Sequence, residues 1–189
     1  LKNFRKITQG IDTVKLLLAI SRRPELWKED TYLRDYPQGP FGEVESIMLR
    51  FPTKGVYDTE KELQDHLSQY DQHENVDQPA YKILTDARPL VMNLMAYVSG
   101  ERLGRVMINK IAPGGRIYPH ADTPVHAEYW ERFHIVLESS PGVMFRCESE
   151  KVYMATGEIW WFNNSLEHEV INDSQSDRVH MIIDVRCQQ

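Results

Sequence analysis

Residues 104–122 read GRVMINKIAPGGRIYPHAD, and the fold class turns on how this stretch divides. Gly104–Ile111 carries Val106, Met107, Ile108 and Ile111, Pro113-Gly114-Gly115 is a cluster of turn residues, and Arg116–Asp122 resumes an extended pattern. The stretch therefore predicts two strands joined by a tight turn. The same grammar runs to the C-terminus, through Arg132–Glu138, Val143–Cys147, Lys151–Met154, Glu158–Phe162, His168–Asn172 and Arg178–Val185, with turns at Ser140-Pro141-Gly142 and Thr156-Gly157. Short strands divided by Gly and Pro, with no helical pattern between them, predict a two-sheet antiparallel sandwich or jelly roll.

Upstream of Gly100 the pattern changes to helices. Asp12–Ser21 has apolar residues at Val14, Leu17, Leu18 and Ile20, and Thr59–Tyr70 has Leu63 and Leu67 four apart. A third helix is expected over Gln78–Val98, with Pro79 in its first turn and Ser99-Gly100 beyond its end. Tyr36–Gly42 reads as a loop and Val44–Phe51 as a strand. The fold class is thus mostly β with N-terminal helices (α+β), a double-stranded β-helix of cupin-like type. At 189 residues the chain suits one domain, 1–189, with a helical N-terminal part over 1–100 and a jelly-roll core over 101–189.

Composition excludes several functions. With 22 Lys and Arg against 28 Asp and Glu, the formal charge is −6, and the basic residues are scattered, so nucleic acid is not an expected partner. No apolar run approaches the roughly 20 residues that span a bilayer, and the N-terminus lacks a secretory pattern. Cys147 and Cys187 make neither a disulfide framework nor a zinc pattern. The expectation is a cytoplasmic protein with no membrane partner and an oligomeric state that the sequence leaves open.

The chemistry-bearing residues lie on the predicted strands. Side chains at i and i+2 share a face, so His120 projects with Asp122, with Arg116 and Tyr118 joining them if the strand is regular. Arg132 pairs in the same way with His134, and Arg178 with His180, while Phe133, Ile135, Val179 and Met181 face the other side. So many polar groups inside a sandwich need a compensating charge or ligand. His120, Asp122 and His168 form a nitrogen and oxygen set suited to Fe(II), with coordination positions left for a cosubstrate and O2. Arg178 is the candidate anchor for a dicarboxylate cosubstrate, because guanidinium donates two parallel hydrogen bonds to a carboxylate. Tyr129 and Trp130, in a loop near the metal strand, are candidates for substrate contact with Arg116 and Tyr118. Each residue also has a plainer reading: Asp122 as a turn former, His168 as a surface histidine, Arg178 paired with Asp173 or Asp177 in solvent. His66, His73 and His126 read as surface residues.

Gly104-Arg105-Val106, Arg116-Ile-Tyr-Pro-His120, Arg132-Phe-His134, Gly157-Glu158 with Trp160-Trp-Phe162, His168-Glu-Val170 and Arg178-Val-His-Met-Ile-Ile-Asp184 occur in this order. In these blocks the chain resembles the aspartyl/asparaginyl beta-hydroxylase family of Fe(II)/2-oxoglutarate oxygenases, over roughly its C-terminal half. The resemblance implies that His120 and His168 are metal ligands, that Arg178 grips the distal carboxylate of 2-oxoglutarate, and that Arg132 and His134 line the cosubstrate pocket, while strand alternation adds His180 to the same face as a cosubstrate-binding candidate. The family's animal members carry glycine where this chain has Asp122. Aspartate restores a full triad, as in the small bacterial members. The expected reaction is hydroxylation of an unactivated C–H in an amino acid or peptidyl residue, with 2-oxoglutarate decarboxylated to succinate. Two other classes stay open: a cupin-like metal-dependent dioxygenase or isomerase without 2-oxoglutarate, and a non-catalytic module that binds a small molecule.

Overall fold

The computed structural model describes residues 1–53, 59–69 and 71–188. The first hundred residues supply β1 (Phe4–Thr8), α1 (Val14–Ser21), α2 (Leu26–Glu29), α3 (Tyr32–Asp35), β2 (Val44–Phe51), α4 (Glu60–Gln69), β3 (Val76–Asp77), α5 (Pro79–Ile83) and α6 (Ala87–Tyr97). Then come β4 (Gly100–Ile111), β5 (Arg116–His120), α7 (Pro124–Tyr129), β6 (Glu131–Glu138), β7 (Val143–Cys147), β8 (Glu150–Val152), β9 (Ile159–Phe162), β10 (His168–Asn172) and β11 (Arg178–Cys187). All the strands expected after Gly100 are present, as is the strand at Val44–Phe51. The side chains of Leu63 and Leu67, expected to form a helix stripe, and Tyr70 lie outside the described residues.

A seven-stranded sheet has the order β1-β9-β6-β11-β4-β2-β3, and a four-stranded sheet the order β5-β10-β7-β8. From β4 onward the chain alternates between them, the β7–β8 hairpin excepted, and each pairing is antiparallel. This alternation is the double-stranded β-helix that the Gly and Pro punctuation predicts. The outer face of the large sheet buries Ile47, Leu49, Val106, Ile108, Ile135 and Met181 against helix residues including Leu16, Leu84, Val91 and Leu94. Fully burying a leucine contributes roughly 2 kcal/mol. Between the sheets, Phe4, Phe145 and Phe162 pack with ring centroids 4.7–6.3 Å apart, beside Val136, Ile117 and Val170.

Two local expectations are corrected. The single helix over Gln78–Val98 is two helices, broken at Leu84, whose φ of −88° and ψ of 62° leave the helical region. Pro89 is the cause: it cannot donate to Thr85, and its ring clashes with a carbonyl at that position in a continuous helix, so it is accommodated in the first turn of α6. The segment before Trp130 is not a loop but α7, with Pro124 at its start, a first-turn position that proline favours.

One glycine links fold to site. A Cβ on Gly104 would lie 3.0 Å from the Cβ and carbonyl oxygen of Asp184 and from Cε3 of Trp130. Strand β4 can approach β11 and the buried indole only without a side chain here. Gly104→Ala is expected to cost about 1–3 kcal/mol, seen as a melting temperature several degrees lower by calorimetry.

Candidate metal centre

His120 ends β5 and His168 begins β10, and the two are directly paired across the small sheet. Their ring centroids are 4.2 Å apart. Asp122 follows two residues after His120, and one potential ligand atom from each of the three residues lies within 4.8 Å of the others. Each imidazole is oriented through its own chain: Nδ1 of His120 lies 2.8 Å from the Tyr118 carbonyl, and Nδ1 of His168 lies 2.8 Å from that of Leu166. A carbonyl only accepts, so both Nδ1 atoms carry the proton and both Nε2 lone pairs are free for a cation. Burial lowers the pKa of both rings, that of His168 to about 4 with the neighbouring His120 contributing. They are neutral near pH 7, the form that binds metal.

The carboxylate is prepared differently. Oδ2 of Asp122 forms an ion pair with Nη1 of Arg132 at 2.6 Å and accepts from Nδ2 of Asn164 at 2.8 Å, leaving Oδ1 uncommitted by these contacts. Burial raises its pKa, but Arg132 and Asn164 outweigh burial and hold the group below the usual carboxylate range. Arg132 also donates from Nε and Nη2 to the two oxygens of Asp184 at 2.7 and 3.0 Å. His126 on α7 places Nε2 2.9 Å from Oδ2 of Asp184.

Deeper in the sandwich, Arg178 has no solvent exposure. Its Nη2 donates to Nδ1 of His180 at 2.8 Å, while Nε and Nη1 have no partner among the described residues. Because guanidinium only donates, Nδ1 of His180 must accept and its proton sits on Nε2, which is likewise unpartnered. His134 lies alongside, its Nδ1 3.2 Å from the same His180 nitrogen. This cluster thus presents buried donors with no acceptor among the described residues. Burial pushes Arg178 down to about 9, so it is still charged at neutral pH. Such a cluster is costly until an anion fills it.

The other candidates are placed elsewhere. Arg116 and Tyr118 do not share the face of His120, because the pairing slips between His168 and Val170, which oppose His120 and Ile117. This bulge turns His120 inward with Ile117 and leaves Arg116 bonded to Glu169 at 2.7 Å and Tyr118 bonded to Glu43 at 2.5 Å. Trp130 is only 2% exposed, packed edge-on against Tyr129 at 4.8 Å. His126, read as a surface residue, is instead part of the Asp184 cluster. Asp184 follows Arg178, His180 and Ile182 at two-residue steps, so strand alternation could have found it. Asn164 and His126 have no comparable signal, since a turn and an unrecognised helix bring them in.

Residues 65–187 match the family model described as Aspartyl/Asparaginyl beta-hydroxylase. The chain belongs to this family. Among its relatives is the L-proline cis-4-hydroxylase of Rhizobium meliloti (strain 1021), 31% identical over 86 residues, which are 46% of this chain and 30% of that protein. The human aspartyl/asparaginyl beta-hydroxylase is 30% identical over 87 residues, 46% of this chain and 11% of that protein. The family member thus matches only a minor part of the length of either relative. In fold it is similar to a Pseudomonas putida prolyl-4-hydroxylase, with a TM-score of 0.51 at 12% identity over 99% of this chain and 94% of that one. A viral collagen prolyl hydroxylase from Paramecium Bursaria Chlorella virus-1, solved as a 2OG complex, gives the same score and identity over 98% and 97%.

The lowered pKa of His168 sets a pH dependence. In the unfolded chain the imidazole takes up a proton near pH 6.5, whereas in the fold it does so near 4. Between these values the unfolded state binds more protons, so stability falls with falling pH. The metal-free family member is expected to melt at progressively lower temperature from pH 7 to pH 4, and His168→Asn to flatten that slope.

Proposed function

We propose that the chain is an Fe(II)/2-oxoglutarate-dependent dioxygenase that hydroxylates an unactivated C–H of an amino acid or a peptidyl residue. The observation that carries this reading is the set of unpartnered buried donors on Arg178 and His180, in the same sandwich as a His-Asp-His triad. Nε and Nη1 of the guanidinium are buried charged donors without a partner among the described residues, and the oxygens of a carboxylate would supply the acceptors they lack. Charge is also balanced: Arg132 and Arg178 offset Asp122 and Asp184, so a divalent cation and a dicarboxylate would offset each other. We read residues 1–189 as one oxygenase domain, supported by β1 and β2 lying within the seven-stranded sheet.

When bound, Fe(II) and 2-oxoglutarate supply the activation of O2, with decarboxylation to succinate and transfer of one oxygen atom to the substrate carbon. The chain's own residues supply placement. His120, Asp122 and His168 would hold the metal on one side, leaving its other positions to cosubstrate and O2. Arg178 and His180 fix the far end of the cosubstrate, and the apolar wall of Phe145 and Phe162 beside His134 and His168 excludes water from that side. A cavity of about 670 Å³, lined in part by Tyr36, Pro40, Phe41 and Thr123, adjoins the triad: Phe41 packs edge-on 5.2 Å from His120, and Thr123 follows Asp122. It provides an approach for the substrate.

A cupin-like enzyme without 2-oxoglutarate would leave the Arg178 donors without an acceptor. Arg178→Ala separates the two readings. Removing two charge-assisted hydrogen bonds is expected to cost about 3 kcal/mol, roughly a hundredfold in the Kd for 2-oxoglutarate by calorimetry. Succinate formation by the Fe(II)-loaded wild-type protein is expected to depend on added 2-oxoglutarate. Unchanged 2-oxoglutarate affinity in Arg178→Ala would count against the assignment.

A further inference from the structure

Asp184 is a buried charge that the metal reading leaves without a role. It has no solvent exposure and accepts from Nε and Nη2 of Arg132 at 2.7 and 3.0 Å and from His126 at 2.9 Å. The third nitrogen of that guanidinium, Nη1, forms an ion pair with Asp122, its closest approach being 2.6 Å to Oδ2, whereas the directed hydrogen bonds of Arg132 to a carboxylate go to Asp184. Arg132 is therefore shared unequally between two carboxylates. A guanidinium facing one carboxylate alone favours the side-on arrangement that engages both oxygens. In that arrangement both oxygens of Asp122 would face guanidinium donors and its charge would be offset by Arg132, so its attraction for a cation would be weaker.

We propose that Asp184 is a positioning residue for the metal centre: by occupying the Nε and Nη2 edge of Arg132, it restricts that guanidinium to one oxygen of Asp122 and keeps the other for a divalent cation. Three features hold Asp184 in this role. Gly104 lets β4 close against it, His126 reaches it from α7, and the β6–β11 pairing sets it directly opposite Arg132. Asn164 completes the arrangement by donating to the same Asp122 oxygen as Arg132 at 2.8 Å, so both donors leave the same face of the carboxylate open.

The inference rests on the triad being a metal site, and its test separates the two. A purely structural counter-ion for Arg132 would lower the melting temperature when removed but would not change metal affinity in the folded protein. Titration with Co(II), followed by its visible absorption and by calorimetry, reads affinity without turnover. Wild-type protein is expected to bind one Co(II), and Asp184→Asn to bind it about 10–100-fold more weakly. Adding Arg132→Met to Asp184→Asn removes the competing guanidinium and is expected to recover part of that loss, a coupling opposite in sign to additive damage. A Kd for Asp184→Asn within about twofold of wild type, the margin of independent sites, overturns the inference while leaving the metal reading intact. So does a double variant that binds more weakly than Asp184→Asn alone. Failure of the wild type to bind Co(II) overturns the metal reading and the inference together. If Asp184→Asn does not fold, His126→Asn loosens the same carboxylate: a severalfold weaker Kd supports the role, and an unchanged one overturns it.

Discussion

Arg132 and Arg178 carry two positive charges into the interior of a β-sandwich, where an uncompensated ion costs several kcal/mol. The two are compensated in opposite ways. Arg132 has a carboxylate on each side, Asp122 and Asp184, and belongs to the finished fold. Among the described residues Arg178 has only a neutral histidine, and two of its nitrogens have no partner. The first arrangement fixes the aspartate of the triad. The second leaves buried donors open, for which the proposed function supplies a carboxylate.

The architecture exists to bring these strands together. Apolar packing of the large sheet against α1, α5 and α6 leaves the opposite face of β6 and β11 to line the interior with Arg132, His134, Arg178, His180 and Asp184. The small sheet then contributes His120 and His168 from adjacent strands. Its bulge between His168 and Val170 turns His120 inward. A register shift at β5 in one sheet, set against the shared faces of Arg132 with His134 and of Arg178 with His180 in the other, forms the centre.

Alternation explains what was legible in the sequence. On β6 and β11 the two-residue period holds, so the interior positions of Arg132, His134, Arg178 and His180, and the outward positions of Phe133, Ile135, Val179 and Met181, followed from spacing alone. On β5 the period fails at a bulge, and Arg116 and Tyr118 fall on the outer surface. The strand boundaries were readable because Gly and Pro turns mark them, while the break at Leu84 depends on a proline inside an otherwise periodic apolar stretch. Asn164, from a turn, and His126, from a short helix, join the centre through tertiary proximity that no local pattern encodes.

In the proposed function, metal and keto acid share the interior that holds the triad and Arg178. Anaerobic titration of the Fe(II)-loaded protein with 2-oxoglutarate tests it, because a keto acid chelating ferrous iron gives a visible charge-transfer absorption that neither has alone. This absorption is expected to appear and to saturate at one 2-oxoglutarate per iron. Saturable 2-oxoglutarate binding without that absorption, or the same binding in metal-free and metal-loaded protein, would contradict it.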